Sequence, residues 1–259
     1  MTKELSFEDY AIVSCGTLAP ELNYLSKEGF LDTRKIIYTT PGRHEVIKEL
    51  ESQLIQKINA AKQQAKKIIV VYGGKFCYVN VNNPYRTIDT IIQEQGTGIH
   101  ISRINATHCM DMLTSEKQRD DVSEGKKTWW LTPGWIAYRD YVFQDWDKGK
   151  ANENFPQHIG GAVLLDGISF WEKYCEEYPE KVLGFSDWMG IEIRPHKIPL
   201  DRLKNLLADC VVSDLEKEIA ELKSSLPAHS VKPSIVQRLE ELEKKLKKAR
   251  KQGNKINGC

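Results

Sequence analysis

The sequence predicts an α/β protein with a mostly parallel sheet of about four or five strands, helices on both faces of that sheet, and a C-terminal helical hairpin. Short apolar runs rich in β-branched residues alternate with helix-like segments through the first half of the chain, which predicts the α/β body. After about residue 212 the composition changes to one rich in Lys, Glu and Leu, which predicts the hairpin.

The elements of the first half follow in order along the chain. DYAIVSCG is a strand followed by a helix in PELNYLSKEG, and KIIYTT is a second strand followed, after Pro41, by a long amphipathic helix. KKIIVVYGG is a continuous apolar run, typical of a strand buried on both faces of a parallel sheet. A helix in NPYRTIDTIIQEQG then leads to a fourth strand, GIHISRINA. This alternation predicts right-handed crossovers between parallel strands.

The second half has weaker signals. We expect TWWLTPGWIAYRDYVF to form a strand or turn followed by an aromatic helix, GGAVLLDG to form a further strand, and PLDRLKNLLADCV to form a helix. The chain is therefore divided into an α/β domain, residues 1–211, and a charged helical hairpin or coiled-coil arm, residues 212–259. Because its leucines recur at heptad-like spacing, the arm either packs on its own domain or forms a homodimer.

Composition and charge exclude several classes of protein. The chain has 259 residues, 41% hydrophobic and 28% charged, and its 37 basic and 36 acidic side chains nearly cancel, so non-specific nucleic-acid binding lacks its usual driving force. No apolar stretch has the length of a membrane span, and MTKELSFEDY does not resemble a secretion signal. We therefore expect a cytoplasmic protein whose cysteines are thiols or metal ligands and do not form a disulfide framework.

Three cysteines recur at the ends of predicted strands. Cys15, Cys77 and Cys109 each follow an apolar run, and in an open parallel sheet ligands bind beyond the carboxyl ends of the strands. Thiolates that converge there suit zinc or an iron–sulfur cluster. His108, Asp111 or a substrate atom would supply the fourth position. The alternative is that the three cysteines are buried as small hydrophobic residues.

Other residues near the same strand ends are candidates for binding a substrate or cofactor. Glycines there allow the backbone to approach a ligand closely, Trp135 belongs to an aromatic group that could form the wall of a cavity for a flat ligand such as a corrin, and Asp166 ends a predicted strand. The full set is Gly16, Tyr72, Gly73, Gly74, Asp111, Thr132, Gly134, Trp135 and Asp166. The phosphate-loop, dinucleotide-binding and serine-hydrolase motifs are absent from the sequence.

Three motifs resemble those of the domain of unknown function 1638 family. They are CGTLAPEL, from Cys15 to Leu22; YGGKFC, from Tyr72 to Cys77; and the pair His108 and Cys109 with LTPGW after it. The resemblance covers residues 11 to about 210. It implies an association with corrinoid-dependent methyl transfer in anaerobes, with a corrinoid protein or methyltransferase as partner, because members commonly accompany such proteins.

Two functional hypotheses follow. In the first, Cys15, Cys77 and Cys109 hold zinc or an iron–sulfur cluster with an open position for a small-molecule substrate, in or beside corrinoid-dependent one-carbon methyl transfer. In the second, the protein is a non-catalytic accessory that docks on a corrinoid protein or methyltransferase, and its cysteines are structural. Metal content distinguishes them.

Overall fold

The structure is a computed structural model that describes residues 5–42, 47–74, 77, 79–80, 83, 85–225 and 233–257. Its strands are β1 (Tyr10–Ser14), β2 (Lys35–Tyr38), β3 (Lys67–Val71), β4 (His100–Arg103), β5 (Trp129–Leu131), β6 (Ala162–Asp166) and β7 (Ile193–Lys197). Its helices are α1 (Ala19–Lys27), α2 (Ile47–Lys62), α3 (Ile88–Gln95), α4 (Cys109–Leu113), α5 (Glu116–Ser123), α6 (Pro133–Ala137), α7 (Arg139–Val142), α8 (Lys148–Asn154), α9 (Phe170–Glu177), α10 (Pro179–Met189), α11 (Asp201–Ser224) and α12 (Pro233–Asn257). A 3₁₀ turn, Gly16–Leu18, precedes α1.

The first four strands form one parallel sheet, sheet A, in the order β2-β1-β3-β4. The chain moves outward from β1 to β2 and then returns to the other side of β1 to form β3. The carboxyl ends of β1 and β3 therefore flank the point where the strand order reverses, which is where open α/β sheets usually bind ligands. Cys15 directly follows β1, and Cys77 lies in the segment after β3.

The last three strands form a second parallel sheet, sheet B, in the order β5-β6-β7. The predicted α/β class and parallel pairing are confirmed, but the VLLD strand belongs to this second sheet and does not extend the first. Strand β7 was not predicted from the sequence. It contains Pro195, which lacks a backbone N–H and is tolerated because β7 is an edge strand.

Helices cover both faces of sheet A, as predicted. Alternate residues of β1 point to opposite faces: Ile12 lies in one core cluster and Val13 in another. The Val13 cluster lies under α2 and α3 and includes Leu54 and Ile91. The Ile12 cluster is larger and continuous with the buried residues of sheet B, such as Leu164. The two sheets therefore share one core.

The C-terminal helices pack on the same body. On α11, Asp214 is buried and its oxygens lie 2.5 Å from His100 Nε2 and 3.3 Å from Ser102 Oγ, both on β4. Leu242 and Ala249 of α12 are buried in the shared core. The predicted helical pair is confirmed, and it packs on the body through these buried residues, while Val236 of α12 is 43% exposed. The expected domain boundary at residue 212 falls inside α11, which runs through it without a break.

Within the described ranges, no helix combines the length and the apolar character that a membrane crossing requires.

Candidate functional site

Three thiols from three segments meet near the carboxyl edge of sheet A. Cys15 follows β1, Cys77 follows β3, and Cys109 is the first residue of α4, after β4. Strands β1, β3 and β4 are neighbours in the sheet, so their ends lie side by side. The five cysteines within the described ranges are not joined in disulfides.

The pKa values of the thiols show that they influence one another. Burial, and then the charge of Cys15, raise the pKa of Cys77 to about 12 against smaller opposing effects of the Gly73 backbone N–H and Arg103. Burial also raises the pKa of Cys109, with Cys77 and then Cys15 as the next contributors. Each thiol therefore lies within electrostatic range of the other two. Without a cation between them, Cys77 and Cys109 keep their protons at neutral pH.

Polar side chains surround this cluster of Cys15, Cys77 and Cys109, here called the thiol site. The Cys15 sulfur lies 3.1 Å from Thr17 Oγ1. The Tyr72 hydroxyl also lies next to the Cys15 sulfur, and it shares a hydrogen bond with the Thr39 hydroxyl. Burial, and then the Cys15 charge, raises the pKa of Tyr72 well above its usual value, so Tyr72 remains a neutral hydrogen-bond donor. The Trp135 indole N–H lies against the Cys109 sulfur and lowers its pKa.

The predicted glycines allow loops to approach one another around the thiol site. A Cβ atom on Gly16 would lie 2.6 Å from the Thr39 carbonyl oxygen, and one on Gly73 would lie 2.5 Å from both the His108 Cα and the Thr107 carbonyl oxygen. Real Cβ atoms do not approach other atoms so closely. Side chains at these two positions would push apart the loops that carry the cysteines.

Arg103 joins the loops after β3 and β4. Its guanidinium donates to the carbonyl oxygens of Tyr72, Ile104 and Ala106, and Asp89 accepts from its other nitrogens. Gly74 N–H also donates to the Ala106 carbonyl at 2.9 Å, and a Cβ atom on Gly74 would meet the guanidinium at 2.7 Å. Gly74 thus belongs to this clamp between loops, and the clamp holds a positive charge near Cys77.

His108 and Asp111 form a network of their own. His108 caps α4: its Nδ1 accepts from the Asp111 N–H at 3.2 Å, and its pKa is lowered by burial and then by Arg119. Asp111 accepts from the backbone and side chain of Thr107 and pairs with Arg202 at 2.7 Å. Burial opposes ionisation of Asp111, but these bonds outweigh it and hold its pKa below the usual value. Both side chains are occupied in positioning the loop that carries Cys109.

Sheet B contributes the LTPGW segment to the thiol site. Thr132 follows β5 and donates from its hydroxyl to the Thr17 carbonyl at 3.1 Å. A Cβ atom on Gly134 would lie 2.0 Å from that same carbonyl oxygen, so α6 rests directly on the 3₁₀ turn after Cys15. This contact brings Trp135 to Cys109 and explains why sequence-distant segments share one site.

Asp166 has a structural environment. At the end of β6, its carboxyl oxygens accept the backbone N–H groups of Ile168, Phe170 and Trp171 at 2.9–3.1 Å. These bonds cap α9 and hold the turn before it, where Ser169 adopts a left-handed φ of 53°. Asp166 is therefore positioned near the other candidates with its oxygens already engaged.

Comparison with known protein families identifies the family of this chain. A model of the family described as "Protein of unknown function (DUF1638)" matches residues 38–207, more than half of the 259 residues. The chain belongs to this family. The DUF1638 match includes Cys77, Cys109 and the LTPGW segment, whereas Cys15 precedes it. Neither the curated proteins nor the solved structures contain a significant match to the chain.

A buried glutamate beside the DUF1638 region was missed as a site residue. Glu21 on α1 is fully buried, and neither carboxyl oxygen has a hydrogen-bond partner in the described part of the chain. Burial, and then the charge of Asp166, raise its pKa to about 8 against an opposing effect of its own backbone N–H. The signal was present in CGTLAPEL, because Glu21 lies three residues after Leu18 and four before Leu25, on the apolar face of the helix.

The thiol site is not preformed for coordination. Over the ranges that the structure describes, no three His, Cys, Asp or Glu side chains are already grouped so that they could hold a metal ion. The arrangement thus consists of three mutually interacting thiols, of which Cys77 and Cys109 are protonated, beside neutral donors from Tyr72 and Trp135. Its sulfur donors are chemically suited to soft metals, and coordination would require their side chains to turn toward a common point.

Proposed function

We propose that this DUF1638 protein uses Cys15, Cys77 and Cys109 to hold zinc or an iron–sulfur cluster that keeps one position open for a small substrate. The observation that carries the proposal is the mutual electrostatic influence of three thiols from three neighbouring strand ends. They flank the point where the strand order of sheet A reverses, the usual ligand-binding position in such sheets.

The chemistry of the thiols supports a cation. Burial disfavours the thiolates of Cys77 and Cys109, and repulsion from the neighbouring cysteines adds to this effect, so without a metal the pKa values of both thiols are raised. A bound zinc or iron ion removes that repulsion and stabilises the thiolates, because metal coordination deprotonates cysteine outright. The same residues are thus neutral without metal and anionic with it, which couples metal uptake to proton release.

The neighbouring donors would tune such a centre. The Trp135 N–H at Cys109 and the Tyr72 hydroxyl at Cys15 are placed to donate hydrogen bonds to sulfur. Hydrogen bonds to ligating sulfur atoms lower their electron density and adjust both metal affinity and redox potential. With only three protein ligands, a zinc or iron ion retains a vacant position at which a substrate thiol or oxygen can bind as a Lewis base.

The metabolic context that we propose is corrinoid-dependent one-carbon methyl transfer, with the protein acting in it or beside it. Resemblance to the family is the support for this context. A direct test mixes metal-loaded protein with methylcobalamin and a thiol acceptor and follows the carbon–cobalt absorbance. Demethylation that depends on Cys109 supports the context, and an unchanged spectrum in the presence of loaded metal contradicts a direct role.

Metal analysis tests the site itself. Anaerobically purified protein is examined by elemental analysis and visible absorption, since an iron–sulfur cluster absorbs broadly and zinc does not. We expect near-stoichiometric metal in the wild type, loss of it in Cys15→Ser and Cys109→Ser, and retention in the matched control Cys175→Ser on α9. Folded wild-type protein without metal, even after reconstitution, would instead favour the accessory role with structural cysteines.

A further inference from the structure

A cavity separate from the thiol site lies between α5 and sheet B. Its volume is about 240 Å³. Residues of β5, β6 and β7 form its floor, and the segment around α5 forms its wall. It lies toward the carboxyl ends of β6 and β7, the end at which parallel sheets bind ligands.

Arg119 brings a buried positive charge to the wall of this cavity. The residue is only 9% exposed, and its guanidinium donates one hydrogen bond, to the Thr114 carbonyl at 2.5 Å. Among the described residues, no carboxylate lies within ion-pair distance of it. The charges of Asp111, Glu116 and Asp120 act on Arg119 from beyond that distance, and Asp111 is already paired with Arg202 at 2.7 Å. A buried guanidinium with unused donors usually binds an anion.

The other charged residues that line the cavity are already paired. Lys197 binds Glu172 at 2.7 Å, and Asp121 binds Lys117 at 3.1 Å. Among the charged residues of the described lining, this leaves Arg119 as the one without an ion pair. The cavity thus favours a negatively charged occupant even though an acidic side chain lies at its wall.

The other residues that line the cavity indicate which chemical groups a ligand would carry besides its negative charge. Trp130, Leu165, Val122 and Ile198 provide apolar walls, and Thr114, Gln118 and His196 provide polar atoms. We propose that this cavity binds a small organic oxyanion, whose carboxylate or phosphate group pairs with Arg119 and whose apolar part packs against Trp130. The planar guanidinium offers paired donors to either group. The site does not depend on metal at the cysteines.

Calorimetric titration of the metal-free full chain tests this site at constant ionic strength. The probes are benzoate, phenyl phosphate and inorganic phosphate, with uncharged benzamide as the comparison. We expect saturable binding of benzoate or phenyl phosphate, weaker binding of inorganic phosphate and none of benzamide. Benzoate and phenyl phosphate share a phenyl ring that fills the apolar part of the cavity. The one that binds more tightly therefore identifies the preferred oxyanion.

Variants separate the cavity from the rest of the surface. Arg119→Gln should weaken binding about tenfold or more, since a charge-assisted hydrogen bond is lost. Arg250→Gln, on the exposed side of α12, is the matched control and should bind as the wild type does. Because Arg119 also supports the Thr114 carbonyl, Val122→Phe provides a second test that fills the cavity without altering any charge.

Two outcomes would overturn the proposal. One is the failure of every anionic probe to bind the folded wild type at millimolar concentrations. The other is binding that survives both Arg119→Gln and Val122→Phe in folded protein, which would place the anion elsewhere. Neither outcome bears on the thiol site, because the titrations use metal-free protein and the expected contacts include no cysteine.

Discussion

Glu21, on the helix after β1, and Asp166, at the end of β6, are both buried carboxyl groups, and Asp166 lies close enough to raise the pKa of Glu21. Their environments are opposite. Asp166 accepts three backbone hydrogen bonds, whereas neither oxygen of Glu21 has a partner within the described residues. One carboxyl therefore stabilises a turn, and the other is kept neutral by burial at a free-energy cost.

The carboxyl edges of the two sheets differ in a similar way, because polar side chains are hydrogen-bonded at one edge and have shifted pKa values at the other. At the edge of sheet B, Asp166 and Thr132 are engaged in hydrogen bonds that fix loops. At the edge of sheet A, Cys77 and Cys109 are held as protonated thiols with raised pKa values. Because groups with strongly shifted pKa values concentrate at functional sites, this contrast supports our proposal for the thiol site, whereas Asp166 and Thr132 serve to fix loops.

Asp166→Ala should have the largest effect. It leaves three backbone N–H groups near α9 without their acceptor, and we expect the free energy of unfolding to fall by about 4 kcal/mol. Urea unfolding followed by circular dichroism measures it. Asp187→Ala, which breaks an exposed ion pair with Lys148, is the control and should change stability by less than about 1 kcal/mol. Equal effects of the two would remove the structural role of Asp166.

Glu21→Gln should change how stability depends on pH. The folded protein keeps a proton on Glu21 up to about pH 8, whereas the unfolded chain releases it near its ordinary pKa of about 4.3. The wild type therefore loses stability as the pH rises through this window. Relative to Glu21→Gln, we expect a loss of about 3 to 4 kcal/mol between about pH 4.5 and pH 7.5.

Urea unfolding at several pH values tests the behaviour of Glu21. The exposed Glu176→Gln on α9 serves as the control and should follow the wild-type curve. Parallel curves for the wild type and Glu21→Gln would mean that Glu21 ionises normally in the folded protein, and the contrast with Asp166 would then fail.

The thiols offer a kinetic test of the edge of sheet A. At pH 8 a pKa of about 12 leaves Cys77 with a thiolate population about a thousandfold below that of an ordinary cysteine. Greater intrinsic nucleophilicity offsets part of this deficit. In metal-free protein we expect iodoacetamide to alkylate Cys77 at least about thirtyfold more slowly in the folded than in the urea-unfolded state.

Peptide mass spectrometry resolves the rate at each cysteine. The more weakly buried Cys175 provides an internal control, and its ratio between folded and unfolded states should be much smaller. The Cys77 rate should rise with pH as the thiolate forms. Equal rates for Cys77 in the two states would show that the thiol is accessible and ionises normally.

The sequence predicted the strands of sheet A because their signals are local. A continuous apolar run such as KIIVV, with glycines after it, predicts both a buried strand and the position of its carboxyl end, and this brought Cys15, Cys77 and Cys109 to one edge. Parallel pairing then followed from the alternation of strands and helices. These features depend on residues that are close together in the chain.

What the sequence did not reveal depends on tertiary contacts. The AVLLD run specifies a buried strand but not the sheet to which it pairs, so its place in sheet B was missed. Strand β7 is mostly polar after Ile193 and contains Pro195, and both features weaken its signal. The isolation of Glu21 arises only when distant segments pack around it, whereas the bonds of Asp166 are local and depend on the left-handed turn at Ser169.

Gly134→Ala tests the contact that joins the two sheet edges, and its expected effect is the smallest. The added methyl group would overlap the Thr17 carbonyl oxygen, which lies 2.0 Å from the ideal Cβ position, so α6 must move away from the turn after Cys15. We expect a loss of about 1 to 2 kcal/mol in the free energy of unfolding, the usual range for overpacking.

Gly184→Ala on α10 is the matched control because no atom lies within 4 Å of its Cβ position. There the same methyl group should stabilise the helix by about 0.4 to 1 kcal/mol, since alanine loses less backbone entropy on folding. One chemical change should thus have opposite signs at the two positions. A stabilising Gly134→Ala would mean that α6 does not rest on the Cys15 turn, and sheet B would then have no direct part in positioning Trp135 at Cys109.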